Sequence, residues 1–411
     1  MMITRIAKSF KFAPEFFLGV MVFSIPFSIQ FNTIAVITVA VLVISIVIRE
    51  RKFTEVRNFF GTPYAILMLL QFMILIGGLG YSTSTSQGIY ELERGAALLA
   101  ILIIVYGAKK LDIDLFRLIF TFFIGCLLVT FIGLVKISFF LTQDQRELVF
   151  QQGHTFFTDQ ISIHPSYLSI YYIFTFFFLL ETLRTKETLK ALPRIGIGVS
   201  LIFIIWLLFF LRSQMGLLVF IILSVVYAII ILKRRAWLVT FVLFTVGLVV
   251  FLLDSNRVST FFDTYGKNVS TALDQRFSVW RGTIEGIKMS PIFGAGTGGE
   301  QQLINKGYAK IGYQEGIDNS YNAHNQYLQF LARNGILELS CFLAFLFYSF
   351  KKSLETPNYT FLMFNMAVTL IMFTESFLNV QKGIVFFYFF VCAFIFLPYE
   401  SASKSGKSIL N

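Results

Sequence analysis

The sequence predicts an all-α, polytopic integral membrane protein. Of its 411 residues 56% are hydrophobic and only 14% are charged, whereas about a quarter of an ordinary soluble domain is charged. Apolar runs of about 20 residues, each long enough to cross about 30 Å of hydrocarbon, recur along the chain. This pattern excludes an ordinary soluble domain, a disordered chain and a coiled coil. The three cysteines lie in apolar runs without CxxC spacing, which is typical of packing residues and not of metal ligands or disulfides.

Apolar runs between charged breaks predict about twelve transmembrane helices. The spans are expected near residues 15–31, 33–48, 62–80, 95–108, 116–140, 163–181, 195–211, 214–232, 236–253, 335–350, 358–378 and 383–398. The first is interpreted as an anchor, because no small-residue cleavage site follows it. The chain is then divided into spans 1 to 9 (1–253), a large outer loop (254–334), spans 10 to 12 (335–398) and a tail (399–411).

The position of the basic residues predicts the orientation. With the N-terminus inside, most of them lie on one side of the membrane, as the positive-inside rule requires. These are Arg5, Lys8, Lys11, Arg49, Arg51, Lys52, Arg57, Lys109, Lys110, Arg184, Lys186, Lys190, Arg194, Lys233, Arg234, Arg235, Lys351, Lys352, Lys404 and Lys407. Both termini are therefore expected in the cytoplasm and the loop outside. The net charge of +11 indicates topology and not a nucleic-acid partner.

The first helix of the outer loop is predicted at Asp274–Met289, with Ser290 and Pro291 ending it. Its apolar stripe is expected to comprise Phe277, Trp280, Ile284 and Ile287.

Arg276 and Arg281 flank this stripe and allow two interpretations. In the first, Arg281 forms an ion pair with Glu285 and Arg276 lies on the Trp280 ring. In the second, the two guanidinium groups clamp a phosphate, since they carry a planar set of donors that stays charged at any pH.

Residues Gly294 to Gly299 contain GxGxxG, but the context excludes a dinucleotide site. A helix and a proline precede the glycines, whereas that fingerprint requires a preceding strand, and no Lys-Ser/Thr pair follows as in a Walker loop. The alternatives are a flexible turn, or a cradle in which backbone N–H groups at Gly294 and Gly296 meet a phosphate or sugar.

A second loop helix is predicted at Asn319–Asn334, with a turn or bend at Asn334-Gly335. His324 is the only histidine of the loop. It is either a hydrogen-bonded structural residue or a proton-transfer group, the latter favoured by its polar neighbours, Asn325 among them, and by its ordinary pKa. No second His, Cys or carboxylate stands three or four residues away, so neither a metal nor another cofactor is expected.

Further polar residues stand where apolar runs end on the outer side. Arg212 is either a snorkelling residue at a helix end or a buried cation facing a cavity. Glu375 is interpreted as a functional carboxylate or as the partner of Arg212. Arg94, together with Glu91, is either a solvated residue at a helix end or a substrate contact. The same two alternatives apply to His164.

Three stretches carry a resemblance to a known family: LRSQMG at 211–216, RFSVWRGTIEGIKMSPIFGAGTGG at 276–299 and AHNQYLQFLARNGILEL at 323–339. They resemble the membrane O-antigen ligase and O-antigen polymerase superfamily, strongly over the C-terminal half and only by topology before it. Glu338 departs from the pattern, which usually has a small residue there.

The resemblance implies a type C glycosyltransferase-like fold and a metal-independent, inverting transfer of a glycan from undecaprenyl diphosphate. It implies that Arg212 and Arg276, with Arg281 second, bind the donor diphosphate and that His324 serves the acceptor. A ligase acting on lipid A-core at the periplasmic face of the bacterial inner membrane is the first hypothesis. Alternatives are a polysaccharide polymerase or protein O-glycan ligase with the same donor. A lipid-linked glycan transporter is disfavoured, because charges lie at span ends and no internal symmetry is found.

Overall fold

The computed structural model describes residues 14–51, 53–140, 154, 157–186, 189–232, 269–356 and 358–399, and within them it contains helices and no strand. The helices before the outer loop are α1 (Pro14–Ser24), α2 (Ile29–Glu50), α3 (Phe53–Phe60), α4 (Pro63–Leu79), α5 (Thr85–Lys110), α6 (Leu115–Phe140), α7 (Pro165–Thr185), α8 (Ala191–Phe210) and α9 (Gln214–Leu232). Those that follow are α10 (Val269–Ile287), α11 (Glu300–Lys310), α12 (Gln314–Asp318), α13 (Gln326–Glu355), α14 (Tyr359–Ile371) and α15 (Gln381–Phe396), with a 3-10 turn at Phe377–Asn379 between the last two.

The helices coincide with most of the predicted spans. In the described residues six helices are long and apolar enough to cross a membrane, and α3 with α4, bent by 77°, would count as a seventh. The predicted span 15–31 is interrupted, because α1 ends at Ser24, and the predicted span 358–378 ends early at Ile371. The span expected at 236–253 lies outside the described residues. The helical membrane class is thus supported, and the count of twelve stays a prediction.

The helix ends gather at two ends of the bundle. At the first, which we call the basic end, Lys110 forms an ion pair with Glu50, and Arg184 with Glu181. The opposite end, which we call the outer end, holds the starts of α5, α7, α13 and α15 and carries α10 to α12. In the described chain these ion pairs lie at the end of the bundle opposite to the loop helices. The predicted loop topology, and which face is cytoplasmic, stay predictions.

The core is aromatic and lies around α7. Phe174 packs edge-on against Phe364 and Phe390, with ring centroids 4.9 Å apart in both pairs. Phe122 joins the same group through Phe390 at 5.2 Å. Edge-to-face pairs of this kind are the favoured arrangement of aromatic rings. This core holds α7, α14 and α15 together beneath the outer end, and so fixes the loops that connect them.

The loop helix α10 packs on α11 through glycines and not through the predicted stripe. A side chain at Gly307 would overlap Gly282 and Gly286, so the two backbones are in close contact. The expected apolar stripe is wrong in part, because Phe277 and Ile284 are 60% and 41% exposed. The helix instead buries Val279, Gly282, Thr283, Gly286 and Ile287.

The second loop helix is continuous with a membrane helix. The predicted helix at Asn319–Asn334 begins only at Gln326, and the bend expected at Asn334-Gly335 is confirmed. Gly335 has φ of 64° and lies against Ile292, where a residue with a side chain would be strained. The first three turns of α13 therefore belong to the outer end, and the rest of α13 to the bundle.

Candidate active site

His324 stands in a tight connection immediately before α13. Its backbone φ is 42°, in the left-handed region that residues other than glycine rarely adopt. The side chain of Asn322 stabilises this conformation, because its Oδ1 accepts the His324 N–H at 2.8 Å and the Ser376 hydroxyl at 3.3 Å. The imidazole is half-buried. Strained backbone held by surrounding structure is concentrated at functional sites, so the geometry favours a functional histidine.

The start of α13 is fastened to the loop that follows α14. The Gln326 N–H donates to Met372 O at 2.8 Å, and its side-chain oxygen accepts the Leu378 N–H at 2.6 Å. Asn325 caps α13 with its Oδ1 and donates to Phe373 O at 3.0 Å. The amide of Asn325, predicted to bind substrate, is therefore engaged at both ends in holding the loop against the helix.

Glu375 lies in the same loop, close enough for its charge to act on His324. Its Oε1 accepts the Ser166 hydroxyl at 3.0 Å, at the start of α7. Burial lowers the pKa of His324, the negative charge of Glu375 opposes this, and the positive charges of Arg276 and His164 add to it. The net effect is a lowered pKa, so the imidazole is neutral near pH 7 and can accept a proton.

Arg276 lies on α10, close enough to His324 for its charge to act on the imidazole. It is half-buried and makes no hydrogen bond, ion pair or stacking contact with another described residue. Its positive charge lowers the pKa of His324. The expected stacking on Trp280 is therefore not found in the described chain. A guanidinium beside a neutral imidazole without a carboxylate partner is suited to an anionic ligand.

Arg212 occupies the turn between α8 and α9, with φ of 50°. The side chain is exposed, so the buried-cation alternative is wrong. A side chain at Gly216 in the same turn would overlap Ser169 of α7, one helical turn beyond Ser166. Arg212 thus lies at the outer end on the side of α7 that carries the Glu375 contact. Its pairing with Glu375 stays a prediction.

Arg281 is exposed on α10, five residues beyond Arg276. The expected ion pair with Glu285 is wrong, because Glu285 pairs with Lys288 and with Lys310 of α11. Hydrogen bonds from these two lysines hold the pKa of Glu285 at about 2. Arg281 therefore keeps its charge unpaired within the described chain, on a more exposed part of the helix than Arg276.

The glycine loop is a packing junction and not an open cradle. Its N–H groups at Gly294, Ala295, Thr297, Gly298 and Gly299 donate to acceptors within the protein. Gly294 and Gly296 have φ of 63° and 82°, and side chains there would overlap Arg333 O and the turn that follows α4. The loop is buried apart from Ala295, so neither a flexible turn nor a phosphate cradle describes it.

Beside this loop lies a buried ion network that the sequence did not reveal. Arg333 is 6% exposed; its Nε donates to Glu338 at 3.1 Å and its Nη1 to Glu91 at 3.2 Å. Arg94 also pairs with Glu91 and donates to Asn379 O. Glu91 is 5% exposed, so the solvated helix end expected for Glu91 and Arg94 is wrong. We call these four side chains, Arg333, Glu338, Glu91 and Arg94, the Arg333 network.

The network explains why a glutamate stands at position 338, where the superfamily pattern usually has a small residue. The carboxylate binds Arg333 five residues earlier in α13 and accepts the Asn334 amide at 3.1 Å. The break of the helix at Asn334 and Gly335 brings these residues together. Arg94 is thereby committed to holding α5 on the loop after α14.

The structure thus brings three of the predicted site residues together: His324, Glu375 and Arg276. Arg212 lies at the same end of the bundle, while Gly294, Gly296, Arg94 and Asn325 have packing or positioning contacts elsewhere. Sequence reasoning missed the roles of Asn322 and Ser166. In an Asx turn the side chain of an asparagine accepts the backbone N–H two residues later. The contact from Asn322 to His324 could therefore have been predicted from the sequence.

A comparison with protein families gives a match that lies mostly in the C-terminal half of the chain. Residues 199–343 match the family model described as O-Antigen ligase, a segment that contains Arg212, Arg276, Arg281 and His324 but not Glu375. No curated protein matches the chain. The family indicates a glycosyltransferase-like enzyme in a broad sense, with lipid-linked glycans and glycan acceptors as partners in general. This match to residues 199–343 supports membership of the O-antigen ligase superfamily.

Proposed function

We propose that the protein is an O-antigen ligase that moves a glycan from undecaprenyl diphosphate to lipid A-core, at the periplasmic face of the inner membrane. The observation that carries the proposal is the grouping of a neutral, half-buried His324 with Glu375 and the unpaired Arg276 at the outer end. One group can accept a proton, and another can bind a phosphate anion. These are the two requirements for sugar transfer from a diphosphate.

The transfer is a single displacement. An imidazole nitrogen of His324 takes the proton of an acceptor hydroxyl as its oxygen forms a bond to the anomeric carbon. The bond from that carbon to the phosphate oxygen breaks, and undecaprenyl diphosphate leaves with the electron pair, so the anomeric configuration inverts. Glu375 stabilises the imidazolium that forms, since its charge favours the protonated state.

Arginines stabilise the leaving group. The diphosphate gains negative charge as the bond breaks, and a fixed guanidinium aimed at that charge lowers the barrier. We assign to Arg276, which lies close to His324, the binding of the phosphate group nearest the reacting carbon. Arg212, exposed at the turn beside α7, and Arg281, exposed on α10, are assigned outer contacts with donor phosphate or sugar.

The test is glycan transfer by purified, detergent-solubilised protein supplied with undecaprenyl diphosphate-linked repeats, with and without lipid A-core. We expect wild type to attach glycan to lipid A-core and His324→Ala to form no such product. Lys306→Ala is the control and should keep the activity, because Lys306 is an exposed lysine of α11. Lengthened lipid-linked chains without acceptor would make the protein a polymerase instead. No transfer by wild type with either acceptor would favour the transporter.

A further inference from the structure

A cavity of about 390 Å³ opens at the basic end, far along the helices from His324. It lies between the start of α4, the last turns of α13 and the end of α15. Tyr64, Tyr348, Lys351, Lys352 and Glu355 line it. Neither the proposed transfer nor the family match assigns a role to this place.

The charge of the cavity is positive. Lys352 and Glu355 form an ion pair at 3.4 Å, with side chains 40% and 51% exposed, and an exposed pair of this kind contributes little free energy. Lys351 makes no ion pair with a described residue. Lys109 lies close by, with its Nζ 5.4 Å from the Phe396 ring that in turn packs on Tyr64 at 5.9 Å. The cavity is thus suited to an anion.

Hydroxyl groups add donors to the same cavity. The Tyr64 hydroxyl donates to Tyr348 O at 3.4 Å, a long hydrogen bond. The Tyr348 hydroxyl has no hydrogen bond to any residue in the described chain. Two lysine ammonium groups and a tyrosine hydroxyl are the donors that a phosphate group needs.

The surroundings of the cavity are apolar and exposed. Phe347 and Leu354 of α13 are 66% and 71% exposed, and Ile66 of α4 is 50% exposed. These side chains stand one or two residues from the lining residues Tyr348, Glu355 and Tyr64, on helices whose apolar surface we expect to meet lipid. A ligand with an anionic head group and long apolar chains would bind the lysines and also cover this apolar surface. A free phosphate would bind the lysines alone.

We propose that this cavity binds the head group of an anionic phospholipid, with the acyl chains lying along α4 and α13. Basic pockets between transmembrane helices on the cytoplasmic side are where such head groups bind. The bound lipid joins the ends of α4, α13 and α15. Its effect is on the stability of the bundle at the basic end and is independent of the transfer reaction.

The test measures binding of phosphatidylglycerol and of phosphatidylcholine to the purified full chain in detergent, by native mass spectrometry. We expect preferential retention of phosphatidylglycerol by wild type. Removal of both lysines (Lys351→Ala with Lys352→Ala) should weaken this binding roughly twenty-five-fold, since each lysine near an anionic lipid contributes roughly fivefold. Lys190→Ala, at an exposed lysine of the same end, should bind as wild type.

A second variant acts in the opposite direction. Glu355→Gln removes the carboxylate that pairs with Lys352, so it should retain phosphatidylglycerol more strongly than wild type, a result that misfolding cannot produce. Equal retention of both lipids by wild type, or unchanged binding in the double lysine variant, would overturn the proposal. Displacement of the lipid by millimolar inorganic phosphate would assign the site to a free anion and would overturn it too.

Discussion

Two clusters of charged residues lie at the outer end, and they differ in how their charges are balanced. In the Arg333 network each guanidinium is bound to carboxylates, and Arg333 and Glu91 are 6% and 5% exposed. Around His324 the imidazole is half-buried, and Arg276 has no ion pair with a described residue. In the Arg333 network the charged groups pair with one another and hold helices together. The groups around His324 keep hydrogen-bond donors and an acceptor available for a ligand, as a substrate site requires.

The largest effect expected is on transfer by His324→Ala. Loss of a general base lowers the rate by roughly 10²- to 10⁴-fold, and the variant should keep the apparent melting temperature of wild type because the imidazole is not part of the core. Transfer assays beside thermal unfolding in detergent measure both quantities. Wild-type rates in this variant would remove His324 from the reaction.

The Arg333 network should show the reverse, a loss of stability. Glu338→Leu leaves Arg333 without its main partner, and breaking a buried ion pair costs roughly 3 to 5 kcal/mol. Thermal unfolding should report the change, with Glu93→Leu as the control, since Glu93 is exposed on α5 two residues beyond Glu91. Unchanged melting together with lost transfer would mean that the network is part of the active site.

Arg276→Ala should reduce transfer by roughly 10²- to 10³-fold, the loss typical of one donor aimed at developing charge. Arg281→Ala should lose less, because that side chain is exposed and is not among the charges that act on His324. Comparing kcat/KM of the two variants ranks the arginines. Equal losses would place both guanidinium groups on the diphosphate.

The smallest effect expected is a shift in the pH profile of kcat/KM. Removing the Glu375 charge lowers the pKa of His324 further, so the acid limb of Glu375→Gln should move to lower pH. Removing the Arg276 charge raises that pKa, so the acid limb of Arg276→Gln should move to higher pH. Shifts in the same direction would show that His324 is not the group that titrates.

Much of the bundle could be predicted from sequence, because hydropathy alone decides which segments can cross a membrane. The helices α2, α7 and α8, for example, were expected within a few residues of where they lie. The interrupted first span was not, since Pro14–Ser24 is apolar without being long. Hydropathy gives the length of an apolar run and not the place where the backbone turns.

The site was predicted less completely, because pairing depends on distant residues. His324 was found from its neighbours in sequence, whereas the partner of Arg94 and Arg333 is Glu91, and Arg333 stands 242 residues from it. The glycine loop was misread for the same reason. Its glycines allow close contact with the turn after α4 and with Arg333 O, and nothing near them in sequence indicates those neighbours.

The most direct test of the account is chemical rescue of His324→Ala. Glycan transfer to lipid A-core would be measured for this variant with increasing imidazole, at a pH where free imidazole is neutral. We predict almost no transfer without imidazole and a rate that rises with its concentration, because the small base can occupy the space left beside Glu375 and Arg276. A variant that transfers glycan at the wild-type rate without imidazole would contradict the assignment of His324 as the base.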